Sequence, residues 1–192
     1  MTKLTKLILL SLSILLLAGN VWGQKNQPKP HGHLDLKLNK VDALHLIRRT
    51  SFGVQIQDLE KLIGLSRKEA ISKLVAGIRS NSWTQSPVWS QQAAPPFWGR
   101  ADLNRSERNL FDTMREKEFR DLQSWWIKEI AQTPSPLTER MVLFWHNYFV
   151  SAFSSLNGWS IALARQNQMF RRLCIGSFRA LLIAVLQDPA ML

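Results

Sequence analysis

Ser66-Arg67-Lys68-Glu69-Ala70-Ile71-Ser72-Lys73-Leu74-Val75-Ala76-Gly77-Ile78 reads as a helix from its first residue to its last turn. The Ser66 side-chain oxygen is an acceptor for the orphan amides of a first turn. Glu69, three residues on, can reach back to the Ser66 amide, and the pair forms a capping box. Ile71, Leu74, Val75 and Ile78 then recur at helical spacing. No stretch alternates convincingly with period two, so the expected class is all-α. The architecture expected is an irregular multi-helix domain of about seven helices with one long aromatic loop.

Upstream, Ile56 to Ile63 is a second helix closed by Gly64, a residue suited to the left-handed end of a helix. Before it, Lys40 to Arg49 follows Asn39 as N-cap and carries Val41, Leu44 and Ile47 as an apolar stripe, with Ser51-Phe52-Gly53 as the turn between. Downstream, the period dissolves from Arg79 to Arg100, where three prolines accompany Trp83, Trp89, Phe97 and Trp98. A loop of that length is commonly functional or disordered, and bulky aromatics need a packing surface or a ligand.

A long charged helix follows from about Asn104 to Ala131, with Leu110, Met114, Leu122, Trp125, Trp126 and Ile130 as its apolar sites. Thr133-Pro134-Ser135-Pro136 ends it and starts the next, with Ser135 as N-cap and Pro136 in the first turn. That fifth helix carries Leu137, Met141, Phe144, Trp145 and Phe149 around most of its surface, which predicts a central position. Residues 151–158 connect it to a sixth helix, from Trp159 to Cys174. Gly176 and the capping Ser177 then introduce a seventh. Asp188-Pro189 reads as the start of one more helix, so the expected unit is an incomplete N-terminal part of a larger helical domain.

At the other end, Lys3 and Lys6 precede an apolar run from Leu7 to Ala18 that is too short to span a membrane, for which about 20 residues are needed. With Val21 and Gly23 before Gln24, this pattern predicts a cleaved secretory signal over residues 1–23. Residues 24–38, rich in Lys, Pro and Gln, are expected to be a flexible linker to a helical domain over 39–192. His31 and His33 have no accompanying carboxylate or cysteine cluster, and no metal ligand is assigned. Cys174 is the only cysteine and is expected in the core.

Charge is uneven. Residues 24–100 carry 12 Lys and Arg against 5 Asp and Glu, and residues 101–192 carry 11 against 9. The field of the first half favours anionic partners. For a chain exported to the periplasm or beyond, those partners are a lipid surface or an acidic envelope polymer rather than nucleic acid.

Chemistry-bearing residues concentrate in Phe144-Trp145-His146-Asn147-Tyr148-Phe149. Desolvation among aromatics displaces an imidazole from its reference titration range, which suits acid–base or ligand roles. A core histidine bonded to a neighbouring group is the structural alternative. A second polar group, Arg165, Gln166 and Asn167 with Arg171 and Arg172, lies on the sixth helix, where at least one member is expected to point inward. No Asp or Glu occurs between Arg140 and Gln187, so a carboxylate partner has to come from the fourth helix, Asp188 or beyond. Phosphate-loop, dinucleotide and zinc-helix signatures are absent, and no cofactor is read from the chain.

Several of these stretches together resemble the bacterial family catalogued as domain of unknown function 1800. They are His45-Leu46-Ile47-Arg48-Arg49-Thr50-Ser51-Phe52-Gly53, Leu143 to Phe149, Arg165-Gln166-Asn167, Arg171-Arg172, Gly176-Ser177-Phe178-Arg179 with Leu181-Leu182, and Asp188-Pro189-Ala190-Met191-Leu192. The resemblance spans roughly residues 41–192. It implies an exported, largely helical protein, often accompanied by another exported protein, and relatives that continue past this region. Tyr148 stands where many relatives carry a second histidine, and Leu173 where a histidine is also common, which weakens a metal or catalytic role for His146.

Two functional classes follow. One is an enzyme or enzyme partner acting on envelope or extracellular polymer, with His146 as the acid–base residue and Asn147, Gln166 and Asn167 orienting substrate. The other is a non-catalytic module in which Trp83, Trp89 and Trp98 stack on sugar rings while Arg48, Arg49 and Arg165 contact anionic groups of a glycan or lipid. A truncated remnant without function is the third expectation.

Overall fold

The computed structural model describes residues 34–93 and 103–191. The expected signal, most of the expected linker, and Phe97 and Trp98 lie outside the described residues. Seven α-helices account for the described chain: α1 Lys40–Thr50, α2 Ile56–Glu60, α3 Arg67–Ala76, α4 Arg105–Gln132, α5 Pro136–Tyr148, α6 Ser160–Leu173 and α7 Phe178–Leu186. A 3-10 turn at Val88–Gln91 interrupts the aromatic loop. The fold is all-α, and the described residues contain no strand, only an isolated bridge between Lys37 and Ser66.

Local signals placed most helix starts. Asn39 accepts from the Asp42 amide at 2.9 Å. Ser66 accepts from the Glu69 amide, and Glu69 accepts in return from the Ser66 amide at 2.8 Å. Asn104 and Glu107 form a second such box at the head of α4. Ser177 accepts from the Ala180 amide. Ser135 departs from expectation, because its hydroxyl pairs with Thr138 Oγ1 at 2.7 Å and leaves α5 without a side-chain cap. The second helix ends at Glu60, three residues short of the Ile63 expected, and turns carry the chain to Gly64, where φ is +84°.

Helices α1 to α3 form a small lobe around Leu38, Ala43, Ile47, Leu59, Leu62 and Ala70. Residues 34–38, read as the end of a flexible linker, are docked here. The Leu38 amide donates to Leu65 O at 2.8 Å, the Gly64 amide donates to Leu38 O at 2.9 Å, and the Leu38 side chain is buried. The apolar stripes are displaced from those read in the sequence. Val41, Ile71 and Val75 are exposed, while the small Ala43 and Ala70 are fully buried where helices approach closely.

The larger part of the fold is organised by α6, which packs against α4, α5, α7 and the 3-10 turn. Ten of its residues are buried, from Ser160 to Arg171. This corrects the expectation that the fifth helix is central: Phe144 and Tyr148 of α5 are exposed, and its apolar wrap reflects surface aromatics rather than enclosure. Leu122, Trp125, Leu156, Ala162, Leu163 and Ala164 make one cluster at the N-terminal half of α6, and Val142, Met169, Phe170, Leu181 and Val185 make another at its C-terminal half. In the first half of α4, Leu110 and Met114 are exposed, while Arg115 and Glu118 are largely withdrawn from solvent against the turn before α6. Asp188 does not open a helix within the described residues; 188–191 form a turn in which its carboxylate accepts from the Ala190 amide at 3.1 Å.

The approach to α6 depends on a sharp reversal. Asn157 and Gly158 have φ of 49° and 78°, and a Cβ on Gly158 would sit 3.4 Å from Arg115 Cβ and from the Phe153 ring. The left-handed conformation disfavours a side chain by about 1–2 kcal/mol. Gly158→Ala is expected to lower the unfolding free energy by about that amount in urea titration. Gly53→Ala, at a position with negative φ and open space around it, is expected to stay within about 0.5 kcal/mol of the parent.

Candidate functional site

The densest polar constellation is built where α4, α5 and α6 meet. Glu139 lies in the first turn of α5 and Arg171 in the last turn of α6, and both side chains are essentially inaccessible to water. Arg171 engages Glu139 with a two-pronged geometry, Nε to Oε1 at 2.8 Å and Nη2 to Oε2 at 2.7 Å. The indole N–H of Trp126, from α4, donates to the same Oε2 at 2.8 Å. The remaining Arg171 nitrogen, Nη1, donates to Asn167 Oδ1 at 2.9 Å and more distantly to Gln168. The Trp125 ring lies 5.4 Å from the guanidinium centre. A charge removed from water is tolerated when its donors and acceptors are this fully engaged.

The network continues to His146. Arginine can only donate, so Asn167 turns its oxygen to Arg171 and its amide nitrogen to His146 Nε2, 3.3 Å away. His146 Nε2 is then an acceptor, and the ring carries its proton on Nδ1. A protonated ring would set two donors against each other and place a second positive charge near Arg171. Burial between Trp126 and Phe170, followed by the repulsion from Arg171, lowers the His146 pKa from 6.5 to about 4. At neutral pH the imidazole is an uncharged acceptor already in use, which is poor equipment for a general acid.

Two further knots order the surroundings. Gln166, fully buried, donates through Nε2 to Ser151 Oγ at 2.9 Å and to Asp188 Oδ2 at 2.7 Å. Burial raises the Asp188 pKa, opposed by the hydrogen bonds from the Ala190 amide and Gln166. On the other side, the buried Glu129 of α4 accepts from the Trp83 amide, the Thr84 amide and the Thr84 hydroxyl, each at 2.6 Å. The aromatic loop is thereby pinned to the helix bundle. Trp83 itself stays 54% exposed, with the Arg79 guanidinium 5.2 Å from its ring centre.

The sequence candidates scatter accordingly. His146 and Asn167 come together, while Asn147 is exposed and outside the network. Gln166 and Asn167 are buried, Arg165 is exposed and donates to Gln92 O, and Arg48 and Arg49 are exposed at the end of α1. Trp89 packs against the Leu122–Trp125 cluster, so of the loop tryptophans in the described residues only Trp83 is presented to solvent. Glu139 and Glu129 were missed. Glu139 immediately precedes the acid-free stretch and looks like an ordinary first-turn acid complementing the helix dipole. Arg171 was read only as half of a basic pair; its position four residues after Asn167 on the buried stripe of α6 was the available signal. Among the described residues, no group of three or more His, Cys, Asp and Glu is placed to hold a metal ion, and no helix is long and apolar enough to cross a membrane.

Two outcomes test this geometry. Arg171→Met strands a buried carboxylate and is expected to reduce stability by about 3–5 kcal/mol in chemical denaturation. Arg171→Lys keeps the charge but loses the fork, and is expected to fall between the two. For His146, the unfolded chain holds the proton more tightly than the folded one. Stability is therefore full above about pH 6.5 and declines as pH falls toward about 4. Urea midpoints at pH 7.5 and 4 are expected to show a drop larger in the parent than in His146→Gln, by on the order of 2–3 kcal/mol. Equal drops would show that the ring is not held neutral.

Comparison with known proteins gives one match. No curated protein and no solved structure matches the chain. The family model described as protein of unknown function, DUF1800, matches residues 45–192, a span that includes α2 to α7, most of α1, and every member of the Glu139–Arg171–Asn167–His146 network. The chain belongs to the DUF1800 family.

Proposed function

We propose that the protein is an exported, non-catalytic helical module that binds an acidic envelope polymer through the Trp83–Arg79 pair and the basic surface of α1 to α3. The observation that carries this reading is the treatment of Trp83. A large indole is left half exposed, yet its backbone is clamped by a buried carboxylate and its ring is flanked by a guanidinium. An exposed aromatic on a rigid mount loses little conformational freedom when a ligand stacks on it. The neighbouring cation supplies a fork suited to carboxylate or phosphate. Arg48, Arg49, Lys61, Lys68 and Lys73 are exposed over the same lobe and extend the positive field. The neutral, already engaged His146 favours binding over acid–base catalysis. The secretory pattern of residues 1–23 supports export, to the periplasm or outside the cell.

Isothermal titration with polygalacturonate as acidic glycan, dextran as neutral control and anionic vesicles separates the choices. Binding to polygalacturonate, weakened by salt and reduced roughly tenfold by Trp83→Ala, is expected. His146→Gln should leave the affinity unchanged. Unaltered affinity in Trp83→Ala would sink the proposed contact, and a preference for vesicles would move the partner to a lipid surface.

A further inference from the structure

The junction between the α1–α3 lobe and the α4–α5 corner encloses a cleft of about 230 Å³. Its floor and walls are apolar: Ile47 and Leu62, both nearly inaccessible to water, with Leu74 from the lobe and Pro134 and Leu137 from the corner. The two sides are joined independently of the cleft. The Arg79 amide donates to Thr138 Oγ1 at 3.0 Å, and the Arg140 guanidinium lies 5.3 Å from the Phe52 ring centre. An apolar recess between two separately cored units is a common place for a small ligand.

The polar groups at the cleft narrow the ligand class. Thr50 Oγ1 is committed to Leu46 O, and Ser51 Oγ to Ile47 O and Gly53 O, so neither hydroxyl is available as a donor. Ser135 Oγ is paired with Thr138 Oγ1. Lys61 is shared with Asp58 at 2.9 Å, whereas Lys73 has no ion-pair partner among the described residues. A sugar needs many directional partners, which the cleft does not offer. It offers an apolar recess and one unpaired ammonium at its edge. Its volume lies below the roughly 300 Å³ at which drug-sized ligand pockets begin, which suits a small ligand rather than a bulky one.

We infer that this cleft binds a small amphipathic carboxylate, a short acyl or single-ring acid, with its apolar body against Ile47, Leu62 and Leu137 and its carboxylate at Lys73. The apolar recess is separate from the Trp83–Arg79 pair, while Lys73 at its edge also belongs to the basic surface of α1 to α3. Octanoate serves as test ligand, with 1-octanol as its uncharged counterpart, titrated into the purified chain and followed by amide chemical shifts. Saturable shifts confined to α1, α3 and the α4–α5 corner are expected, with octanoate binding more tightly than octanol. Lys73→Gln, an exposed change that leaves the fold intact, should weaken octanoate about three- to fivefold and leave octanol unaffected. Leu137→Trp fills the recess and should abolish binding of both. Equal affinity for octanoate and octanol, indifference to Lys73→Gln, or shifts located elsewhere would each overturn the assignment. Unaltered polygalacturonate binding by Leu137→Trp would separate this site from the glycan surface.

Discussion

The pairing of Arg171 with Glu139 is the interaction on which the larger part of the fold rests. It joins the last turn of α6 to the first turn of α5, recruits the Trp126 indole from α4, and fixes the orientation of Asn167 and through it His146. Isolated burial of either charge would be prohibitive, and mutual satisfaction makes it tolerable. An apolar substitute of equal volume could match its contribution to stability, but would not dictate which way Asn167 and the imidazole point. Through a few directional bonds, three helices are held in a particular rotational setting.

A repeated device is visible around this centre: carboxylates turned inward to tie distant segments. Glu129 gathers the backbone of Trp83 and Thr84 onto α4, and Asp188 receives Gln166 of α6. Glu118 receives both Arg115 and the Ser160 hydroxyl at the start of α6. The acids absent from residues 141–187 are thus supplied from the flanking helices and the C-terminal turn. The exposed charge of α1 to α3 is mainly positive for a different reason, an excess of Lys and Arg over Asp and Glu in residues 40–76, only partly offset by the Lys61–Asp58 and Arg67–Asp42 pairs seen there among the described residues.

Helix positions were legible because their causes are local. The capping boxes at Ser66 and Asn104, the caps at Asn39 and Ser177, and Pro136 in a first turn each act within three or four residues. Which apolar residues become core was less legible. Val41, Ile71 and Val75 follow the helical period yet face water, because in a three-helix lobe close approach favours Ala43 and Ala70. The density of aromatics in α5 pointed to a central helix, but several of them stack on one another at the surface, as Phe144 and Tyr148 do.

The sequence by itself determined an all-helical chain, its approximate helix boundaries, its uneven charge and its membership of a family. These depend on residue spacing and on interactions within a turn or two. Only the tertiary structure decided which polar residues point inward and with whom. Glu139 and Arg171 are 32 positions apart, and Trp83 and Glu129 are 46 apart. An acid or a base on a helix carries the same local signature whether it faces solvent or a buried partner. The choice is made by the crossing of helices that brings complementary donors and acceptors within reach.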